Sequence, residues 1–396
     1  MELRTGPAVV RVVAVLAIAA AAARVQRAFP IHPLPPPDRT PPLMQAQYGE
    51  LTTSNDFLGA DLAVINPFGL RQRYAVNGYV YLKEAIPRSE VLGLRRELAE
   101  LLRKHGWTDR DQPDPLGTRS TGIPARSESA DDPLYWPYYD AVLKLPRFHE
   151  LPHTPAVLAV LEALYGERAF PHPRKIGRVL FPGSDQYRYP PHQDWVFVQG
   201  EPADSSIFAT TVTGWIPLGD VPREMGGLCV LEGGHANLLP VVPIRGSDGI
   251  PTAGVDTAEL EQHHRWKTAD FAAGDILLIS SRTPHRGGEN RAGDLRLSID
   301  ARYNPISTAV TDGPLEVHWR RMAWDDVYRD WPVDHPLRFY WRNETLTVVP
   351  FDPDANPAAI TDVTARTNSN SNTNTNTNTN TNSRPPPRAP SAAPGA

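Results

Sequence analysis

Between Gly166 and Tyr303 the chain is a succession of short apolar segments broken by glycine and proline, with no helical stretch among them. "RVLFPG", "HQDWVFV", "SIFATTVTGWIPL", "GLCVLEGG", "DILLISS" and "LRLSIDARY" follow one another in this way. Parallel strands need long, usually helical crossovers, so this order predicts antiparallel pairing in a sandwich or barrel. The double-sheet jelly roll is the usual such form with a ligand inside. Ahead of these segments "NGYVYLKEAIP" alternates as a strand does. A helix follows with Pro87 in its first turn, Val91, Leu94, Leu98, Leu101 and Leu102 on one stripe, and a stop at Gly106. A second helix spans about Pro155 to Tyr165, with Thr154 as cap and Gly166 as terminator. The expected fold class is mainly β with flanking helices, and two long loops, the polar stretch between the helices and residues 243–270, are placed to close over a pocket.

Within the strand succession, "PPHQDWVF" sets His192 and Asp194 two residues apart. On an extended strand the side-chain period is two, so these groups share one face while Gln193 and Trp195 take the other. One strand then offers an imidazole and a carboxylate to one ion; a surface turn opened by Pro190 and Pro191 explains the same letters. His285 stands after the strand-like "AGDILLISSRTP" and before a hairpin into "LRLSIDARY". A facial triad for non-haem iron needs two histidines and one carboxylate; the other histidines compete to join His192 and Asp194, and His285 stands out among them by its position. In the last strand Leu295, Leu297, Ile299, Ala301 and Tyr303 make an apolar face, and Arg296, Ser298, Asp300 and Arg302 the opposite one. A polar row turned into a barrel is costly unless partners or a ligand satisfy it. Arginine there points to a bound carboxylate, with Ser298 adding a hydroxyl; a solvated polar face is the alternative.

Cys229 is the only cysteine, so no internal disulfide framework exists and any metal is held by His, Asp or Glu. A net charge of −5 argues against a polyanion, and no nucleic-acid partner is expected. The apolar run Val12 to Ala23, flanked by arginines, is shorter than the ~20 residues a membrane span takes, so no stable membrane insertion is expected. It reads as a cleaved leader or as sequence upstream of the true start. From about Thr367 the Asn/Ser/Thr repeat lacks the apolar residues to offset chain entropy.

Taken together, "HQD" at 192–194, "GWIPLGDVPREMGGLCVLEGGH" at 214–235, "AGDILLIS" at 273–280, "PHRGGEN" around His285 and the following "RLS" resemble the phytanoyl-CoA dioxygenase family of iron(II)- and 2-oxoglutarate-dependent oxygenases. "NGYVYLKEAIPRSEVLGLRREL" resembles that family's opening strand and helix, and the likeness spans roughly residues 66–305. It implies a double-stranded β-helix, the cupin-like jelly roll, with its core at about 170–305 inside a single oxygenase domain at 46–350. Residues 1–45 are then a leader or disordered extension and 351–396 a disordered low-complexity tail.

Carried over by position, the resemblance makes His192, Asp194 and His285 the metal ligands and gives no catalytic group beyond them. Arg296 and Ser298 match the pair that holds the far carboxylate of the cosubstrate, and Trp215 a tryptophan that lines it. His235 falls where the family has "GSH", here "GGH", and reads as a turn residue; His263 and His264 read as solvated. Arg178 and Gln186 are candidates for the keto-acid end. The implied cofactors are Fe(II), 2-oxoglutarate and O2, and the implied reaction hydroxylates a C–H bond of a small organic substrate with succinate and CO2 as co-products. Asp194 sets the site apart from related halogenases, which lack this ligand. A zinc-dependent hydrolase and a non-catalytic barrel that binds a small acid are the alternatives, and neither explains Arg296 together with all three ligands. A cytoplasmic location is expected, or an organelle or the exterior if residues 1–30 are a genuine leader. The tryptophans at 319, 324, 331 and 341 are expected to pack against the barrel.

Overall fold

A computed structural model describes residues 48–58, 65–123, 132–183, 190–197, 205–245 and 251–350. The expected leader or extension at 1–45, the low-complexity tail at 351–396 and Gln186 lie outside the described residues. In chain order the strands up to Pro305 are β1 (Gly49–Glu50), β2 (Tyr79–Leu82), β3 (Ala169–Leu180), β4 (Val212–Pro217), β5 (Leu228–Leu231), β6 (Val241–Arg245), β7 (Pro251–Val255), β8 (Trp266–Thr268), β9 (Ile276–Ser280), β10 (His285–Gly287) and β11 (Arg296–Pro305); two short strands, Val310–Thr311 and Val348–Val349, pair with each other beyond them. One sheet has the order β2-β9-β4-β11-β3 and the facing one β1-β8-β5-β10, so the chain passes repeatedly from one sheet to the other. All pairs in these two sheets are antiparallel except β1 with β8. The fold is mainly β with flanking helices, a double-stranded β-helix.

The two-residue period of β11 decides what lies inside. Leu297, Ile299, Ala301 and Tyr303 join the cluster formed with Val91, Leu94, Leu98 and Leu102 of the Arg88–Lys104 helix. Helices therefore cover the outer face of the larger sheet, each buried leucine or isoleucine contributing about 1.5–3 kcal/mol. The inner face carries Arg296, Ser298, Asp300 and Arg302. It is shared with a second apolar cluster between the sheets, which includes Tyr79, Tyr81, Trp215, Val230, Phe271, Leu277 and Ile279. The polar row points inward, not to solvent: Arg296 and Ser298 are 2% and 1% exposed.

The two expected helices form as Arg88–Lys104 and Pro155–Tyr165. Gly106 (φ 71°) and Gly166 (φ 80°) adopt the left-handed conformation that ends each helix without strain. Thr154 does not cap with its side chain; its hydroxyl donates backward to Leu151 O at 2.7 Å. A further helix, Pro67–Asn77, gives no clear apolar stripe, and only Gly69, Leu70 and Tyr74 are buried along it. Asn66 holds its start by accepting from the Gly69 N–H. Residues 243–270 are not one loop: β6 and β7 pair as a hairpin and β8 joins the smaller sheet. Trp324, Trp331 and Trp341 are packed with Tyr328 in the outer core beside His149, as expected of that tryptophan-rich stretch.

Candidate metal centre

"PPHQDWVF" is not a continuous strand. His192 forms a single antiparallel bridge with His285, their backbones exchanging bonds of 3.0 and 2.9 Å. The chain then turns, and Asp194–Phe197 is a short 3-10 helix. The Trp195 N–H bonds outside any ladder, to Ser281 O at 2.8 Å. The expectation that His192 and Asp194 meet holds through this turn and not through strand alternation. His285 opens β10, in register with Val230 of β5.

The ligand atoms of His192, Asp194 and His285 all lie within 4.8 Å of one another. The nearest carboxylate oxygen to His192 Nε2 is Asp194 Oδ1, at 4.0 Å. His192 Nδ1 is bonded to Pro190 O at 2.8 Å and His285 Nδ1 to Thr283 O at 2.9 Å. A carbonyl only accepts, so in each ring Nδ1 carries the proton and Nε2 keeps its lone pair for a metal. The His192 side chain is 24% exposed. Burial first, then the neighbouring His285 imidazole, nonetheless pulls its pKa down to about 3, so the ring is neutral at pH 7. Asp194 is 2% exposed, and burial alone raises its pKa. The Arg302 guanidinium, helped by the Thr213 hydroxyl, outweighs that and holds it well below the usual carboxylate range. Two imidazoles whose Nδ1 atoms are engaged by carbonyls and one ionised carboxylate on one small volume are the donor set of a divalent transition metal.

Arg302 and Thr213 were not singled out as site residues by the sequence, yet both touch Asp194. Arg302 reaches Oδ1 at 2.9 Å and Oδ2 at 3.4 Å, and the Thr213 hydroxyl donates to Oδ2. Arg302 was legible as part of the inward polar row of β11; nothing in the sequence marks Thr213. Gln193 is the other residue the sequence left out. It is fully buried and faces away from the ligands, where its amide bonds Asn237 O at 2.7 Å and Arg282 O, and its carbonyl accepts from Leu239 N at 2.8 Å.

The residues expected to hold a dicarboxylate come together on the same inner face. Arg296 donates to Ser298 Oγ at 2.6 Å, and its guanidinium lies 5.6 Å from the Trp215 ring centre. Trp215 is itself fixed edge-on against Phe271 at 4.7 Å. A buried planar fork beside a hydroxyl, with an indole as wall, fits a carboxylate at one end of a small acid. Arg178 lies on this face too, ion-paired with Asp300 at 2.9 Å. The remaining histidine candidates stand apart: His235 bonds Ala75 O at 3.1 Å, His264 bonds Glu232 O at 2.9 Å, and His263 is exposed.

Comparison with known proteins bears on the same segments. Residues 74–298 match the family model described as phytanoyl-CoA dioxygenase, more than half of the chain. The chain is 24% identical over 268 residues to 1-deoxypentalenic acid 11-beta-hydroxylase of Streptomyces exfoliatus, covering 65% of this chain and 87% of that protein. It is 23% identical over 248 residues to the peroxisomal phytanoyl-CoA dioxygenase of Homo sapiens, covering 60% and 69%. Among solved structures, the epimerase SnoN in complex with Fe3+, alpha ketoglutarate and nogalamycin RO is similar with a TM-score of 0.41 at 24% identity, covering 62% of this chain and 85% of that one. The matched span contains all three metal-ligand candidates and ends on Ser298, and by that match the chain belongs to the phytanoyl-CoA dioxygenase family, non-haem iron oxygenases that depend on 2-oxoglutarate.

Proposed function

We propose that the protein hydroxylates a C–H bond of a small organic molecule, consuming O2 and 2-oxoglutarate and releasing succinate and CO2. The observation that carries this reading is the convergence of His192, Asp194 and His285 within 4.8 Å on a barrel whose inner face also buries Arg296, Ser298 and Trp215. In this reading His192 Nε2, Asp194 Oδ1 and His285 Nε2 hold Fe(II). Iron held there with the keto acid would supply the oxidising chemistry. The chain's own contribution is position. Arg296 and Ser298 fix the far carboxylate of 2-oxoglutarate, so that its keto end meets the metal in one orientation. Trp215 bounds the cosubstrate on one side. Asp194 supplies a carboxylate where a halogenase leaves room for chloride, which favours hydroxylation.

The name of the Streptomyces relative, a hydroxylase of 1-deoxypentalenic acid, supports hydroxylation of a free small molecule; the human relative supports a CoA-linked one. Among the described residues no helix is long and apolar enough to cross a membrane. We place the enzyme in the cytoplasm, where its keto acid and reduced iron are at hand. The test is anaerobic addition of Fe(II) and 2-oxoglutarate to metal-free protein, followed by admission of oxygen. A visible charge-transfer band that is absent in His192→Ala, then bleaches as succinate appears, supports the reading. Tight zinc binding with no band and no succinate returns the zinc hydrolase to first place.

A further inference from the structure

A facial site has three positions left after its protein ligands. Two-point chelation by a keto acid takes two, and oxygen needs the last. A carboxylate that binds through both oxygens removes one of them. The number of oxygens Asp194 gives to the metal therefore matters as much as its presence.

The two oxygens of Asp194 have different surroundings. Oδ1 faces His192 Nε2 at 4.0 Å. Oδ2 accepts from the Thr213 hydroxyl and, at 3.4 Å, from Arg302 Nε. The second Arg302 nitrogen reaches Oδ1 at 2.9 Å. Each carboxylate oxygen has two lone-pair directions. On Oδ2 both are engaged; on Oδ1 one goes to Arg302 and the other is left for a cation between the histidines. Thr213 and Arg302 are register partners on β4 and β11, so their side chains leave the same face of neighbouring strands toward Asp194. Thr213 is 4% exposed and Asp194 2%, so water does not compete freely for these bonds.

The geometry points to Thr213 and Arg302 as the residues that make Asp194 a one-oxygen ligand and so hold open the position that 2-oxoglutarate needs. Turning Oδ2 onto the metal would break the Thr213 bond and the Arg302 Nε bond together, inside a buried site where neither is easily replaced. Both residues act through Asp194 and are positioning residues. The inference rests on the reading of the site as an iron and 2-oxoglutarate centre.

Threonine and valine share a shape, so Thr213→Val deletes only the hydroxyl, and Thr213→Ser restores it. Metal-free protein is titrated with Co(II), whose d–d absorption gives the metal affinity. 2-Oxoglutarate is then titrated into the Co(II) protein, and the change in the same bands gives the cosubstrate affinity. In Thr213→Val we expect Co(II) binding as tight as in wild type or tighter, with 2-oxoglutarate weakened roughly tenfold, the scale of ligand-supporting contacts. Thr213→Ser should recover most of the loss.

Unchanged 2-oxoglutarate affinity in the valine variant overturns the inference. So does an equal fall of both affinities, which would make Thr213 a mere orienter of Asp194. If the valine variant does not fold, Arg302→Lys keeps the charge but loses the planar fork that puts one nitrogen on each oxygen, and the same split between metal and cosubstrate is expected. A wild type that binds Co(II) but ignores 2-oxoglutarate sinks the oxygenase reading itself, and this inference with it. A responsive wild type beside a variant without the split sinks this inference alone.

Discussion

The Gln193 amide donates to the Asn237 carbonyl at 2.7 Å, on the side of the chain opposite to the two metal ligands that flank it. With its further bonds to Arg282 O and Leu239 N, this side chain ties the ligand loop to two other loops. Gln193→Leu keeps the bulk and leaves those backbone groups without a side-chain partner. A loss of about 2–3 kcal/mol of stability is expected, the cost of stranding buried polar groups. Metal affinity should fall roughly tenfold as the loop loosens. Urea denaturation of the metal-free protein and Co(II) titration read the two effects separately.

Metal should stabilise the fold only through the three-residue cluster. At a free metal concentration 100 times the dissociation constant the gain for wild type is about 2.7 kcal/mol. His285→Ala should show no metal-dependent rise in Tm while unfolding near the wild-type temperature without metal. Retention of the rise in His285→Ala would place the metal elsewhere.

Arg296 is expected to matter for the cosubstrate and not for the metal. Arg296→Lys keeps one charge and loses the planar fork, so KM for 2-oxoglutarate should rise by between about tenfold and a hundredfold, about 1.4–2.8 kcal/mol. Co(II) affinity should stay within about twofold, well under 1 kcal/mol. Equal effects on both quantities would contradict the placement of Arg296 at the far carboxylate.

Acid should unfold the protein partly through two imidazoles outside the metal site. Burial lowers both His149 and His172 to about 3, from 6.5. The unfolded chain then binds more protons than the folded one between pH 6.5 and about 3, so the stability from these groups is complete above 6.5 and drains away as pH falls through that window. Each contributes a slope of up to about 1.4 kcal/mol per pH unit. His172→Asn should flatten the pH dependence of urea midpoints between pH 4 and 6; an unchanged slope would contradict the assignment.

Lys175 extends the argument to alkaline pH. Burial lowers this 2%-exposed lysine to about 7, from 10.5. Folding releases its proton between those values, so its contribution to stability rises from about pH 7 to 10.5 and is flat below 7. Lys175→Met should stabilise the protein at pH 6 and remove this rise. Denaturation midpoints at pH 6 and 9 decide it.

Much of this was legible in the sequence because two simple periods govern it. The alternation of Leu297, Ile299, Ala301 and Tyr303 against Arg296, Ser298, Asp300 and Arg302 fixes both faces of β11, and the 3.6-residue stripe of the Arg88–Lys104 helix fixes what covers it. Residues that come close only through strand pairing were not legible. Thr213 meets Asp194 because β4 lies beside β11, a neighbourhood no local pattern reports. Gln193 is fixed by backbone groups of remote loops, contacts that no local pattern reports. The Pro67–Asn77 helix was not legible because it carries no clear apolar stripe, only Gly69, Leu70 and Tyr74 being buried along it.

His192 and His285 face each other across a backbone bridge, though most of the strand succession lies between them in the chain. The bridge joins segments far apart in the chain, so the two histidines meet only where the folded sheets bring those segments together. A nascent or half-folded chain therefore offers scattered histidines and no competent ligand set. Metal affinity is in this way tied to the integrity of the barrel, and loss of the fold is loss of the site.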